Sequence, residues 1–329
     1  MEVNKFVCGA NIKNTGVGTC SLALQTVAGA FLVPADFVVD EAGAADLFDT
    51  LQAAAKASKR NRIYPVHRFV QVTNNSEDKT TQSFGYGGLA VVREGFYNWL
   101  LQYVDGGLCL HNRLRSHNGK AKAVLFYDAQ GVIFGRSVLL PANPALIEPE
   151  PKYGLGGIPL EYFWANPWTP NDGSNVMATA VQFVFKPKYI NEELGYIQAN
   201  FDLEGLKGLG GVVLSEAVAK AANVLTVAAN YGCSFEPDGA DFFEDFEADL
   251  ADAALWKVTT SSGLEIAITS VAADAANRAF TVTLDALDPN YSATAPLKVS
   301  LVSPAEMETA GADALSLYES NVLSVAGTA

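Results

Sequence analysis

A chain of 329 residues with 49% hydrophobic and 18% charged residues is globular in composition and longer than one ordinary core, so two domains are expected. Its formal net charge of -14 at pH 7 argues against tight nucleic-acid binding, which draws on Lys and Arg to neutralise phosphates. That charge is confined to one end: residues 1–200 hold 17 acids and 17 Lys/Arg, whereas residues 201–329 hold 19 and 5. No apolar run reaches the length of about 18 residues needed to cross a bilayer, so no membrane partner is expected. The first twenty residues have no signal-peptide pattern, which predicts synthesis and folding in the cytoplasm. Cys8, Cys20, Cys109 and Cys233 form no CxxC pair and no cluster with His67, His111 or His117, so free thiols are expected.

Residues 1–22 carry Gly9, Gly16, Gly18, Asn11 and Asn14, a composition of turns or an extended arm. Gly16-Val17-Gly18 is not a dinucleotide fingerprint, because Ser21 stands at the sixth position and no βαβ unit follows. No cofactor is expected. Residues 44–58 read as a helix with Leu47, Phe48, Leu51 and Ala55 on one face. Its basic end (Lys56, Lys59, Arg60, Arg62) complements the helix dipole.

Strand signals follow at 67–72 and 80–86, broken by Gly87-Gly88. Residues 91–104 form the longest strand-like stretch. Tyr97, Trp99, Leu101 and Tyr103 share one face, and Phe96, Leu100 and Val104 the other. A strand apolar on both faces needs two covers: a core, and either a helix or a neighbouring subunit. A short helix is expected over 108–117, with His111 and His117 spaced wrongly for two ligands on one helix face. Residues 123–128 and 132–137 form a hairpin through Gly131.

Residues 141–170 hold seven of the fourteen prolines together with Tyr153, Tyr162, Phe163, Trp164 and Trp168. Proline blocks helix interiors and central strands, which predicts a stiff arm rather than regular core structure. Burying each aromatic is worth about 1.5–3 kcal/mol, so the arm must dock, on its own domain or on a neighbouring copy. A strand over 177–185 closes the domain.

Beyond this the text becomes acidic, with short strands at 212–218, 222–230, 255–260, 263–269, 278–285, 296–303 and 318–325, the spacing of an immunoglobulin-like sandwich. Segments 223–228 and 321–326 echo each other and read as paired edges. Residues 238–252 read as a helix capped by Asp238, with Phe242, Phe243, Phe246 and Leu250 on one side; an EF-hand pattern is missing.

Catalytic signatures are missing too: Gly-x-Ser-x-Gly, the P-loop and His-Glu-x-x-His do not occur, so an enzyme is not expected. The better class is a structural subunit. The residues 84–87 (Phe-Gly-Tyr-Gly), 92–95, 99–102, the helix around Arg113 to Asn118, and 124–128 with 131–135 resemble tail tube (major tail) proteins of tailed bacteriophages. The C-terminal part is similar to immunoglobulin-like domains that decorate such tubes. The resemblance implies a mainly β protein: a tube-forming β-sandwich or half-barrel with one or two short helices over 1–203, followed by an immunoglobulin-like β-sandwich over 204–329. It implies a virion protein that self-assembles into hexameric, stacked rings, with other tail proteins as partners and DNA only as transiting cargo. Strands 91–104 and 176–186 are then candidates for the inner wall. Tyr97, Trp99, Tyr103, Tyr153, Tyr162, Phe163, Trp164 and Trp168 are candidates for subunit contacts. Connector or baseplate ring proteins share that core fold. An immunoglobulin-like surface adhesin and an uncharacterised hydrolase are the other readings.

Overall fold

The structure, a computed structural model, describes residues 4–5, 26–85, 87–104, 107–141, 152–170, 178–186, 194–232 and 241–327. It is mainly β, built of several sheets that include a half-barrel, and it divides into two compact units, Met1–Lys207 and Gly208–Ala329. The expectation of turns over 1–22, apart from Asn4–Lys5, falls outside the described residues.

The strands of the first unit are β1 (Asn4–Lys5), β2 (Val27–Val33), β3 (Val38–Val39), β4 (Tyr64–Val66), β5 (Gln71–Asn74), β6 (Thr80–Ser83) and β7 (Leu89–Arg93). They continue with β8 (Tyr97–Tyr103), β9 (Ala123–Asp128), β10 (Val132–Leu139), β11 (Tyr153–Gly156), β12 (Ile158–Ala165), β13 (Thr179–Phe185) and β14 (Leu194–Gln198). Three helices accompany them: α1 (Glu41–Ala45), α2 (Leu47–Lys56) and α3 (Gly107–Ser116).

One sheet runs β4-β2-β9-β10-β14-β1, with β11 attached to β10 and β3 to β11. A second runs β12-β13-β8-β5. β12 joins them, pairing with β9 at Ile158 and Pro159 and then with β13 from Leu160 onward. Between the sheets lies an aromatic core in which Phe126 touches the rings of Trp99, Phe134, Phe183 and Phe185. On the opposite face of the first sheet, Leu47, Leu51 and Ala55 of α2 cover Phe31, Leu125 and Ile133. The doubly covered strand is therefore β9, whose six residues are all buried. The turn into β10 uses Gly131 at φ 81°, as the hairpin required.

Several expectations are corrected. The stretch 91–104 is two strands, β7 and β8, because the chain leaves the ladder at Glu94-Gly95 and returns through a bridge from Phe96 to Glu77. The 67–72 stretch is strand only from Gln71, since Arg68 takes a left-handed backbone, φ 64°. The Pro-rich arm is regular structure where it is described: residues 153–165 are β11 and β12, while 142–151 lie outside the described residues. Its prolines are tolerated because Pro159 sits where β12 changes sheets, and Pro167 and Pro170 follow the strand's end. Cys109 is disulfide-bonded, not a free thiol; Cys8, Cys20 and Cys233 lie outside the described residues.

The second unit is a β-sandwich. One sheet holds β15 (Gly210–Ala221), β16 (Val224–Tyr231), β19 (Ile268–Asp274), β20 (Ala279–Leu284) and β22 (Tyr318–Ser320), in the order β19-β20-β16-β15-β22. The other holds β17 (Trp256–Thr260), β18 (Glu265–Ile266), β21 (Leu297–Leu301) and β23 (Leu323–Val325), in the order β18-β17-β21-β23. Trp256 meets Phe280 across the core with ring centroids 5.6 Å apart, and its indole N–H donates to Leu250 O at 2.8 Å. The echoing segments 223–228 and 321–326 are not paired: β16 lies in one sheet and β23 in the other. The acidic helix is shorter than expected, α4 (Phe242–Phe246), followed by 3-10 turns at Asp249–Ala251 and Ala253–Leu255. Its cap is Asp241, whose carboxylate accepts from Phe243 N; Asp238 lies outside the described residues.

Candidate assembly surface

Strand alternation decides which candidate contact residues face outward. Register pairs Tyr97, Trp99, Leu101 and Tyr103 of β8 with Phe185, Phe183, Val181 and Thr179 of β13. This is the inward face. Tyr103 and Phe163 are fully buried, and Tyr97 and Trp99 pack on the inter-sheet core. These four therefore form the unit's own interior and are withdrawn as subunit contacts. Burial raises the Tyr103 hydroxyl to about 12, as expected for a phenol with little water around it.

Tyr162, Trp164 and Trp168 do reach solvent. Tyr162 and Trp164 share the outward face of β12, their rings stacked at 5.8 Å with planes 12° apart. Across the sheet, Tyr162 stands opposite Val184 and Trp164 opposite Gln182. The same row continues through Leu100 and Gln102 of β8, both half-buried, to Gln71 and Thr73 of β5, while Asn98 in that row is buried. None of these paired outward positions carries a charge; Glu161, in the bulge of β12, is the nearest acid in sequence. Tyr153, on β11 opposite Leu139, is half-buried and belongs to the other sheet.

A further group of exposed apolar side chains lies on the β6–β7 ribbon. β5 and β6 run out, β7 and β8 run back, and the Glu77–Phe96 bridge ties the two halves into one long bent hairpin. Among the described residues its outer half, β6–β7, pairs with no other strand. Phe84 is 54% exposed, Leu89 74%, Val91 49% and Val92 63%, so both faces of the ribbon meet water. Phe96, at the base, is also exposed. Hydrogen bonds from Phe84 N to Gly88 O (2.8 Å) and Gly87 N to Phe84 O (2.9 Å) close the tip, and Arg93 pairs with Glu77. The signal available in the sequence was the apolar run 89–92 bounded by glycines; alternation alone does not tell a wet ribbon from a buried strand.

The histidines serve local structure. His111 is buried on α3 with Nδ1 3.4 Å from Thr179 Oγ1, and burial, helped by Arg115, holds it below the ordinary histidine range. Burial likewise lowers His117, which packs edge-on against Tyr64. Among the described residues, no group of three His, Cys, Asp or Glu side chains is placed to hold a metal ion. No helix of the described residues is long and apolar enough to cross a membrane. No protein-family model, curated protein or solved structure matches the chain.

Proposed function

We propose that this chain is a virion structural subunit that associates head-to-tail with copies of itself into stacked rings, forming a bacteriophage tail tube through which DNA passes. One observation carries the proposal: the β6–β7 ribbon, which exposes Phe84, Leu89, Val91 and Val92. A lone two-stranded hairpin is marginal in water, and a contiguous exposed apolar patch marks a contact surface. A ribbon on one copy that meets a different patch on the next makes a heterologous contact, the kind that generates rings and open filaments. The uncharged outward face of the β12-β13-β8-β5 sheet supports the same reading. A wall without Lys or Arg gives phosphates nothing to bind, which suits a conduit for DNA.

The test is direct. Purified protein, viewed by negative-stain microscopy and measured by sedimentation velocity over a concentration series, is expected to form rings or tubes. A concentration-independent monomer would overturn the reading.

A further inference from the structure

Asn118 holds the free end of β12. That strand pairs with β9 only at Ile158 and Pro159, so beyond Leu160 its edge away from β13 meets no other strand among the described residues. The turn after α3 covers it instead. Leu160 N donates to Lys122 O (2.9 Å) and Gly119 N to Phe163 O (3.0 Å). Asn118 Oδ1 accepts from Ala165 N at 2.8 Å, and its Nδ2 donates to Ala165 O at 3.5 Å. Asparagine thus supplies at one strand end the donor and the acceptor that a neighbouring strand would bring. Gly119 follows at φ 67°, a left-handed backbone that favours glycine. Clamp and turn together call for Asn-Gly, and 118–119 is the one Asn-Gly pair in the chain.

From this geometry we propose that Asn118 is a self-modification site, a one-way latch on β12: shut while the strand end is clasped, and sprung when an opening lets the pair rearrange to isoaspartate. The chemistry needs only water. The Gly119 nitrogen, with no side chain on its residue to hinder it, attacks Asn118 Cγ and loses its proton. The side-chain nitrogen departs with that proton as ammonia, leaving a five-membered imide. Water then opens one of the two C–N bonds of the imide, giving aspartate with the original main chain or isoaspartate with the main chain rerouted through Cγ. In the folded unit the attacking nitrogen is tied to Phe163 O and the amide under attack to Ala165, so neither is free to meet the other. The two products differ in what they can clasp. Aspartate keeps Gly119 N in place and still offers Ala165 N an oxygen. In isoaspartate the former Oδ1 and the Gly119 N–H belong to one amide. A trans amide points its C=O and N–H in opposite directions, so they cannot both serve the same strand edge. The clasp then cannot reclose. This inference stands whether or not the chain forms tubes.

Ageing the full chain in warm, mildly alkaline buffer, with peptide mapping by mass spectrometry, tests it. In urea, residue 118 should be the first asparagine converted. In the folded chain its conversion should be slowed at least as much as hydrogen exchange of the Gly119 amide is, by more than about tenfold, because both need that N–H to leave Phe163 O. Converted chains gain a negative charge and separate by ion exchange. The isoaspartate fraction should lose exchange protection at Gly119 and Ala165, while Asn118→Asp keeps it. Conversion as fast in the folded chain as in urea, or isoaspartate chains with Ala165 still protected, would overturn the latch. So would an equal loss of protection in Asn118→Asp, which places the effect in the new charge rather than in the rerouted chain.

Discussion

The two units handle apolar surface in opposite ways. The second encloses its large side chains: Phe242, Phe243, Trp256 and Phe280 are all buried. Its exposed apolar residues sit singly on turns, as Leu264, Leu287 and Val322 do, or apart on β15, as Val213 and Val218 do. Scattered residues of this kind are normal on a protein surface. Seventeen acids against four Lys/Arg over 208–329 then keep that surface strongly hydrated and mutually repelling. The first unit, with nearly balanced charge, groups many of its exposed apolar residues on the β6–β7 ribbon and the outward face of β12, while Phe48, Val70, Leu108 and Leu139 are exposed elsewhere. Contiguity and neutrality together distinguish a contact surface from a solvated one; neither property alone does so.

That contrast is broken most severely from inside. Phe126→Ala empties the centre of the aromatic core, where the ring meets four others, and should cost the first unit about 3–5 kcal/mol. Calorimetry should show the first unit's transition falling while the second unit's stays in place. A joint shift of both would mean that the units do not fold separately. The next effect concerns association rather than folding. Leu89→Asp with Val91→Asp should weaken self-association more than tenfold in sedimentation experiments, since each buried aliphatic side chain contributes about 1.5–3 kcal/mol to a contact. The monomer's thermal midpoint should hardly move, because both side chains are exposed. Equal loss of fold and association would return the ribbon to the unit's own core.

Much of this architecture is legible in the sequence. Apolar runs between turn signals located β9, β10, β13, β17 and β20, and the 44–58 pattern put Leu47, Leu51 and Ala55 on the covered face of α2, though it placed Phe48 there too, which is exposed. The Pro-rich stretch was misread because proline density says only that an amide donor is missing, not whether the ladder needs one there. At Pro159 the strand is changing partners. The candidate site was less legible. Aromatic content pointed to Tyr97, Trp99, Tyr103 and Phe163, which the fold spends on its own core, while the exposed aliphatics of β7 looked like half of a buried strand. The contacts of His67 could not be read at all, since its partners lie 60 and 139 residues away.

Acid should separate the units by a smaller margin. All three histidines lie in the first unit, and burial is the leading cause that lowers each of them. A histidine whose folded value lies below the unfolded 6.5 stabilises fully above that pH, and its contribution is lost as pH falls toward the folded value. The second unit has no histidine; among its described residues the perturbed acids are Asp274, held down by Asn277, Asp288, held down by the amides of Ala267 and Asn290, and Glu306, held down by Ser303. Depressed carboxylates stabilise above their ordinary values, 3.8 for Asp and 4.5 for Glu, and that stability goes only as pH falls below them. Scans at pH 7.5 and 5.5 should therefore lower the first unit's midpoint alone, and a scan near pH 4 should begin to lower the second's. A second unit that weakens first would invert the comparison.

The smallest effect is also the most local. In the second unit the helix Pro304–Thr309, α5, opens with a reciprocal cap: Ser303 Oγ accepts from Glu306 N at 3.4 Å, and the Glu306 carboxylate accepts from Ser303 N at 2.8 Å and from Ser303 Oγ at 2.6 Å. A helix of six residues has few other means of satisfying its first amides, and it must hold Met307 in the sandwich core. Ser303→Ala removes the hydroxyl from both directions of that exchange and should cost about 1 kcal/mol. Calorimetry should register the loss in the second unit's transition only. The same substitution strips Glu306 of the hydroxyl that does most to hold its carboxyl down, so its titration, followed by carbon NMR, should move up toward 4.5. Part of the second unit's acid sensitivity should move with it. If the cap is lost and the Glu306 titration stays where it was, another group holds that carboxylate, and the assignment of the second unit's acid response to local hydrogen bonds fails at the residue where it is best defined.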